Sequence, residues 1–371
     1  TVCKTPGQEP GYCVPLLSCP HMLKAIATYK YEPINYFLNS RCGDYKVCCG
    51  IRTIFDPYIF VFGDEPIRIS EADYKIPKTL NNTAAKNRDF VIKNILPSTT
   101  YCGLQHTDDR FYTENSTALD EIPWLVNFVA TFHINKGPPK KDDFYKYCAG
   151  VLISNQHVLS SSYCSSKRFH INAARLGQHH LRQNTTCIED PVNVECAKLI
   201  EIPIEAGLVL GDSNFVLYKL QRPVLYDDYI RPICLPFNDI TRPSVNGSLT
   251  TSGWEDIKET ENKIGKKRII SKIVDNEECN AGLNNSIRYG KVNPKYALCT
   301  VKEPSSNSEI EESDRGSPFT YSHKHQWFID GIVNYVAEDY LIGEKLTSDI
   351  RNWILDGLYY FYKKSQLNPN I

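Results

Sequence analysis

Short apolar runs separated by turn residues recur through the later two thirds of the chain. Each combines β-branched and aromatic residues over the length of one strand, at 124–129, 150–153, 215–220 and 331–335. Runs of this kind are typical of an all-β sandwich or barrel. The pattern therefore predicts an all-β domain that begins near residue 111 and fills most of the chain.

A helical period is found only near the C-terminus. Between residues 346 and 358, Ile350, Trp353, Ile354 and Leu358 recur at spacings of three and four, which puts them on one stripe of a helix. We therefore predict a C-terminal helix and assign residues 111–358 to one domain. The tail, residues 359–371, is aromatic and then polar, and it gives no prediction.

The cysteines set the first 49 residues apart from the rest. Six of the 14 cysteines lie there, a density typical of a small domain that disulfides stabilise in place of a large core. Residues 50–110 mix proline, asparagine, lysine and aspartate, with one apolar stretch at 58–62 and a polar one at 81–87. We predict a disulfide-rich module at 1–49 and a partly ordered linker at 50–110.

Charge and composition exclude several classes of protein. The 42 basic and 43 acidic side chains give a formal net charge of -1, so the chain lacks the basic footprint of a nucleic-acid-binding protein. No run of about 18 apolar residues is present, so no membrane span is predicted. The sequence shows no signal peptide, as expected of a mature chain that has lost it.

The even number of cysteines indicates disulfides and an oxidising, extracellular setting. Zinc is the competing interpretation, but paired C-x-x-C knuckles are missing and the histidines lie elsewhere. Five N-x-S/T triplets are candidate glycosylation sites and agree with secretion. They are Asn81, Asn115, Asn184, Asn246 and Asn284.

Six motifs occur in the order found in chymotrypsin-like serine proteases. They are Pro123-Trp124, CAGVLIS from Cys148, VLSSSYC from Val158, RPICLP from Arg231, SGW from Ser252 and DRGSP from Asp314. Residues 111–358 therefore resemble this family, and residues 1–49 resemble the clip domain that precedes such proteases in arthropods. The resemblance implies a clip-domain serine protease homologue with a chymotrypsin-like double β-barrel and a C-terminal helix.

The resemblance also implies how the cysteines pair. Six pairs follow the family pattern, and the two cysteines that remain close a surface loop. The implied pairs are Cys3–Cys48, Cys13–Cys42, Cys19–Cys49, Cys102–Cys234, Cys148–Cys164, Cys279–Cys299 and, for the loop, Cys187–Cys196.

The catalytic positions of the family are all substituted. Such proteases need a nucleophilic hydroxyl, an imidazole base and a carboxylate that orients it. Tyr163 stands at the base position, Asn214 at the carboxylate position and Arg315 at the nucleophile position. A phenol with a pKa of about 10 is a poor base near neutral pH, and a guanidinium cannot attack a carbonyl. We therefore expect a pseudoprotease rather than an enzyme.

Neighbouring residues offer no clear replacement. His157 and Asp212 are the nearest candidates, but we expect the first to pack or meet solvent and the second to be a solvated charge. Glu309 takes the place of the acid at the floor of a trypsin-like pocket, and Ser313 that of the oxyanion glycine. Asn334, Tyr335 and Val336 replace the open pocket wall, where the valine is expected to crowd a substrate.

The family spacing places an activation cleavage between Arg110 and Phe111, in a polar stretch suited to an exposed loop. Asp314 persists as the buried acid that usually receives the new amine, although the glycines that normally follow the cut are missing. The run 266–268 is expected to be a surface turn, with docking or a second cleavage as alternatives. No metal is expected, since Gln178 replaces the glutamate that binds calcium in relatives; no cofactor is implied.

The resemblance implies a non-catalytic regulator of prophenoloxidase activation and melanisation, switched by cleavage after Arg110. Its expected partners are clip-domain proteases, other protease homologues and prophenoloxidase or complement-like proteins of the haemolymph. Two alternatives stay open: an active endopeptidase with rearranged residues, and an extracellular binding module outside immunity.

Overall fold

The computed structural model describes residues 2–4, 10–15, 40–43, 46–50, 59–61, 82–105, 117–132, 148–164, 169–181, 183–189, 194–209, 213–236, 242–254, 265–282, 296–306, 308–337 and 339–367.

The N-terminal module is a small antiparallel sheet held by disulfides. Its strands are β1 (Val2–Lys4), β2 (Pro10–Pro15), β3 (Arg41–Gly43) and β4 (Lys46–Gly50), in the order β1-β2-β4-β3. The disulfides Cys3–Cys48 and Cys13–Cys42 join the strands across the sheet. The middle of this module, residues 21–38, lies outside the described residues.

The described part of the linker contains one strand and one helix. They are β5 (Ile59–Val61), within the apolar stretch that was expected to be ordered, and α1 (Asn82–Ile95). The polar stretch 81–87 was expected to be linker, yet residues 82–87 form the first half of α1. The helix forms because its second half is amphipathic: Val91 and Ile92 are buried, and Ile95 packs on the core of the neighbouring barrel.

Two β-barrels form the larger domain, as predicted. The first barrel contains β6 (Leu125–Phe132), β7 (Ala149–Ser154), β8 (His157–Ser161), β9 (Phe169–Leu176), β12 (Ile200–Val209) and β13 (Phe215–Leu220). Its strand order is β13-β8-β7-β6-β9-β12, and pairing of β12 with β13 closes it. The hairpin of β10 (Thr185–Glu189) and β11 (Val194–Lys198) stands beside it.

The second barrel is also closed and antiparallel. Its strands are β14 (Ser248–Trp254), β15 (Lys266–Ile273), β16 (Ala297–Lys302), β17 (Pro318–His323), β18 (Gln326–Ala337) and β19 (Tyr340–Lys345). They follow the order β14-β15-β16-β19-β18-β17 around the barrel. A short helix, α2 (Asn276–Gly282), leads to β16 and is joined to it by the disulfide Cys279–Cys299.

The apolar runs of the sequence become buried strands. Every residue of β7 and of β13 is buried, because these strands line the inside of the first barrel and are covered on the outside. Strands buried on both faces are near-continuous in apolar residues instead of alternating. This explains why the runs at 150–153 and 215–220 carry so strong a strand signal.

The predicted C-terminal helix is present and longer than expected. It is α3 (Ser348–Leu367), and Ile350, Trp353, Ile354 and Leu358 are all buried against the first barrel. The boundary drawn at residue 358 therefore divides one helix. The helix continues because Phe361, one turn beyond Leu358, is also buried.

Several contacts join the linker to the larger domain. Strand β5 pairs with β12 beside the first barrel, and Arg88 of α1 forms an ion pair with Asp356 of α3. The disulfide Cys102–Cys234 adds a covalent link. Cys148–Cys164 and Cys187–Cys196 are likewise formed; Cys19 lies outside the described residues, whereas Cys49 is disulfide-bonded. Among the helices of the described ranges, none has the length and apolar character needed to cross a membrane.

Candidate degenerate active site

The three substituted positions meet between the barrels. Tyr163 lies in the short 3-10 helix Ser162–Cys164 that follows β8, and Asn214 immediately precedes β13. Because β8 and β13 are paired, the Ser162 N–H donates to the Asn214 carbonyl at 2.7 Å, which makes Tyr163 and Asn214 neighbours. Arg315 follows the 3-10 helix Glu312–Asp314 and is close enough for its charge to influence Tyr163.

Tyr163 presents a neutral phenol. Burial raises the pKa of its hydroxyl above the ordinary value, the Glu344 carboxylate raises it further, and Arg315 opposes both. Its ring packs on the Tyr335 ring with 4.4 Å between centroids, and its backbone N–H donates to Ser161 Oγ at 3.2 Å. The side chain remains 37% exposed, so an aromatic surface faces solvent here.

A buried acid that the sequence reasoning missed lies behind Asn214. The Asn214 backbone N–H donates to the Glu344 carboxylate, in β19. Glu344 is only 5% exposed, and burial raises its pKa to about 7 although the Asn214 hydrogen bond works in the opposite direction. The signal in the sequence was slight: one glutamate follows the buried residues Leu341, Ile342 and Gly343 of the same strand. This carboxyl group changes its charge near neutral pH.

The segment 334–336 fills the space beside Tyr163. The Ser161 hydroxyl donates to Asn334 Oδ1 at 2.7 Å, and both residues are buried. Tyr335 lies against Tyr163, while Val336 packs against the core of the second barrel. The amide oxygen of Asn334 is therefore occupied within the protein.

The turn 311–317 is held by its own backbone. The Arg315 N–H donates to the Glu312 carbonyl at 3.3 Å, and the Arg315 carbonyl accepts from the Ala149 N–H at 2.7 Å. The Arg315 guanidinium lies 3.2 Å from the Glu312 carboxylate. Gly316 has a φ of 82°, and a Cβ atom there would lie 2.0 Å from the Ala149 carbonyl oxygen, so only glycine fits this position.

The other residues assigned to the pocket differ from one another in burial and in their contacts. Glu309 is exposed, so its side chain does not form a buried floor; its backbone carbonyl accepts from Lys267 Nζ at 2.8 Å. The Ser313 hydroxyl lies 3.3 Å from Glu311 Oε2. Asp314 is fully buried, and its Oδ2 lies 3.0 Å from Lys267 Nζ.

The expectation that 266–268 is a surface turn was wrong. These residues begin strand β15, and Lys266 and Lys267 are 3% and 1% exposed. Lys266 Nζ donates to the Glu121 carbonyl at 2.9 Å, and burial lowers the pKa of its amine to about 8. Three consecutive charges resemble a surface run, but long lysine side chains can be buried where their amines find carbonyl or carboxylate partners.

His157 does not approach the base position. It is buried, its Nδ1 lies 2.8 Å from Ser154 Oγ, and its ring stacks on Phe361 at 5.7 Å. Burial and the nearby charge of Lys219 lower its pKa to about 3, so the imidazole stays neutral. This agrees with the packing role expected for it, whereas Asp212 lies outside the described residues.

The remaining assignments concern metal binding, glycosylation and cleavage. Gln178 is buried: its Oε1 accepts from Asn127 at 2.9 Å and its Nε2 donates to the Leu181 carbonyl at 3.2 Å. In the ranges that the structure describes, no cluster of three histidine, cysteine or acidic side chains is arranged to hold a metal. Asn184 and Asn246 are exposed, while Arg110, Phe111, Asn81, Asn115 and Asn284 lie outside the described residues.

Two closed antiparallel barrels and a C-terminal helix are the architecture of a trypsin-like domain. The model of the trypsin family matches residues 117–352, and that of the regulatory CLIP domain of proteinases matches residues 3–49. The chain therefore belongs to the trypsin family and carries an N-terminal CLIP domain.

Curated relatives and solved structures agree with this assignment. Serine protease 7 of Drosophila melanogaster is 26% identical over 298 residues, covering 75% of this chain and 72% of its own. Phenoloxidase-activating factor 3 of Holotrichia diomphalia is 26% identical over 354 residues, covering 90% and 86%. The crystal structure of the Drosophila Grass clip serine protease of the Toll pathway matches with a TM-score of 0.55 at 17% identity, covering 97% of this chain and 98% of that one.

Proposed function

We propose that this protein is a non-catalytic regulator of an extracellular protease cascade in innate immunity, switched by cleavage after Arg110. The observation that carries the proposal is Arg315, which occupies the nucleophile position. Its guanidinium stays protonated and cannot attack a carbonyl. Its backbone N–H, which an oxyanion hole would need, donates instead to the Glu312 carbonyl.

The positions of the base and of the orienting acid also hold residues that do not suit these roles. The phenol of Tyr163 has a raised pKa and so holds its proton at neutral pH. Asn214 offers an uncharged amide where a carboxylate would stabilise an imidazolium. Loss of the nucleophile or the base of a triad costs on the order of a millionfold in the best-studied case. Residual turnover would be far too slow to drive a cascade.

The immune setting rests on the relatives. Those that match across most of their length include phenoloxidase-activating factors 1 and 3 of Holotrichia diomphalia and the phenoloxidase-activating enzyme of Bombyx mori. The Spaetzle-processing enzyme of Drosophila melanogaster is a further relative. We therefore place this chain in a prophenoloxidase or related cascade, with clip-domain proteases and other protease homologues as its partners. Prophenoloxidase and complement-like proteins are the further partners proposed.

Secretion into the haemolymph is part of the same proposal. Every cysteine of the described residues is disulfide-bonded, which requires an oxidising compartment. The glycosylation candidates Asn184 and Asn246 are both exposed, so an attached glycan would meet no packed surface. Glycosylation at these two sites is expected and awaits mass measurement.

A protein that hydrolyses no substrate can regulate only through binding. Cleavage must therefore change its affinity for a partner. The Cys102–Cys234 disulfide keeps the CLIP domain on the larger domain after the cut, and both can then contact one partner at high effective concentration. We expect the cut form to bind its cascade partner at least about tenfold more tightly, roughly 1.4 kcal/mol.

The test is a titration of three forms against purified prophenoloxidase and clip-protease partners. The untreated, uncut protein and the protease-treated Arg110→Ala variant should bind equally weakly, and the cut protein should bind more tightly. Arg268→Ala is the matched control, because Arg268 lies in strand β15 and its loss should leave both cleavage and affinity unchanged. Equal affinities for all forms would show that Arg110 is not a switch.

A further inference from the structure

A buried ion pair lies beneath the turn 311–317. Lys267 Nζ lies 3.0 Å from Asp314 Oδ2, and the two side chains are 1% and 0% exposed. The same amine donates to the Glu309 carbonyl at 2.8 Å and lies 3.3 Å from Glu311 Oε2. Lys267 is therefore bonded both to the segment that leads into the turn and to Asp314, the acid at the centre of the turn.

The surroundings of Asp314 are closely packed. Its Oδ2 also accepts from the Glu311 N–H at 2.9 Å. On the other side, a Cβ atom built on Gly253 would lie 2.1 Å from Asp314 Oδ1, so the backbone of β14 fills that space. The second acid, Glu311, is 22% exposed, and water therefore screens part of its charge.

The Lys267–Asp314 ion pair affects whether cleavage after Arg110 can change the turn 311–317. The resemblance left open whether the new amine of Phe111 enters beside Asp314, because the acid persists whereas the glycines that normally follow the cut are missing. A buried carboxylate needs one well-placed cation, and here the chain already supplies it. The need to neutralise a buried charge is therefore already met, and it no longer supplies a reason to bury the new terminus.

We propose that Lys267 is the permanent counter-ion of Asp314, so that it sets the turn 311–317 in the uncut chain, and that cleavage after Arg110 leaves this turn unchanged with the Phe111 amine in solvent. The signal of cleavage then reaches a partner through the freed segment, not through the degenerate site. This proposal rests on the proposed cleavage after Arg110 and does not depend on the identity of the partner.

The experiment uses the full chain with a cleavage site of defined specificity. Asp108 and Asp109 already precede Arg110, so His106→Asp, Thr107→Asp and Arg110→Lys together create an enteropeptidase site that releases Phe111 as the new N-terminus. The rate at which an amine reagent modifies the Phe111 α-amine is measured by mass spectrometry at pH 8. A free peptide beginning with the same residues is the reference.

We expect the amine of the cut protein to react within about twofold of the peptide, and the melting temperature to be the same before and after the cut. Protection of the amine by more than about tenfold, with a higher melting temperature after the cut, would overturn the proposal. This measurement needs no core variant and stands even if such variants fail to fold.

A second measurement tests whether Lys267 is the reason. Lys267→Met leaves Asp314 without its counter-ion and should lower the melting temperature by roughly 10 °C, because an unpaired buried charge is strongly destabilising. Lys272→Met, on the same strand but exposed, should change it little. Adding Asp314→Asn to Lys267→Met should recover part of the loss. If Lys267→Met shifts the midpoint no more than Lys272→Met, the ion pair does not hold the turn and the proposal fails.

Discussion

Tyr163, Asn214 and Arg315 lie close together, and each makes contacts with its neighbours in the protein. The backbone of Arg315 is bonded at both its N–H and its carbonyl, and the ring of Tyr163 packs on Tyr335. Tyr163 and Arg315 are therefore part of the local packing. Reversing them one residue at a time does not restore the geometry around them.

The first prediction follows from that packing. The triple variant Tyr163→His, Asn214→Asp and Arg315→Ser should still hydrolyse peptide substrates at no more than a trace of the rate of an active clip protease. Val336 still stands where the family has an open pocket wall, and the N–H at position 315 is still donated to the Glu312 carbonyl. Steady-state assays on trypsin-type and chymotrypsin-type peptides measure this. Substantial turnover would show that the pocket is open and the argument from Val336 is mistaken.

The second prediction concerns Glu344. Its folded-state pKa is raised from 4.5 to about 7, so the folded protein binds more protons than the unfolded chain between these values. Stability should therefore fall as pH rises from about 4.5 to 7, by roughly 2–3 kcal/mol from this group. Glu344→Gln should remove that fall and stabilise the protein at pH 8, with little effect at pH 4.5.

Unfolding midpoints at the two pH values measure the effect of Glu344. Glu277→Gln, at an exposed position, is the control and should leave the pH profile of the wild type unchanged. A Glu344→Gln variant with the same pH profile as the wild type would mean that the buried carboxyl does not titrate in this range.

At the scale of elements, strong apolar patterns predicted structure and isolated charges did not. The runs that became β7 and β13, and the stripe from Ile350 to Leu358, were evident because burial on a strand or helix repeats along the sequence. The first half of α1 is polar and owes its helical state to Val91 and Ile92 further along. The environments of Lys267 and Glu344 are formed by residues far away in the sequence, so no local sequence pattern predicts them.

The helix α3 supplies a prediction at this scale. Ile354 is fully buried in the core of the first barrel, so Ile354→Ala should lower the free energy of unfolding by about 2–5 kcal/mol. Leu355, its neighbour on the same helix, is only partly buried, and Leu355→Ala should cost clearly less. Denaturant unfolding measures both. Equal losses in the free energy of unfolding would mean that Ile354 and Leu355 are equally buried, which would contradict the position of α3.

At the scale of the whole molecule, the CLIP domain and linker remain part of the structure after a cut. A trypsin-like protease that cuts after Arg110 should leave one band on a non-reducing gel and two on a reducing gel, the heavier beginning at Phe111. The Cys102–Cys234 disulfide is the reason, and both of its cysteines are buried. Separation of the chains without reductant would contradict it.

Non-covalent contacts should add to this link. In a Cys102→Ser, Cys234→Ser variant, the cut chains should still co-elute in native buffer, because β5 pairs with β12 and α1 packs against α3. Adding Ile92→Asp places a charge in the buried face of α1 and should release the light chain. Lys93→Asp, on the exposed face, should not. Size-exclusion chromatography separates the two outcomes.

The most direct test of the non-catalytic assignment is stoichiometric labelling with a serine-directed phosphonate. The reagent is applied to the uncut and the cut protein, and the moles of label per mole of chain are measured by intact mass. We predict none in either form, since Arg315 offers no hydroxyl and Tyr163 no base. One mole of label per mole of chain on any residue between 117 and 358 would contradict the account, because it would show that the domain has an active nucleophile.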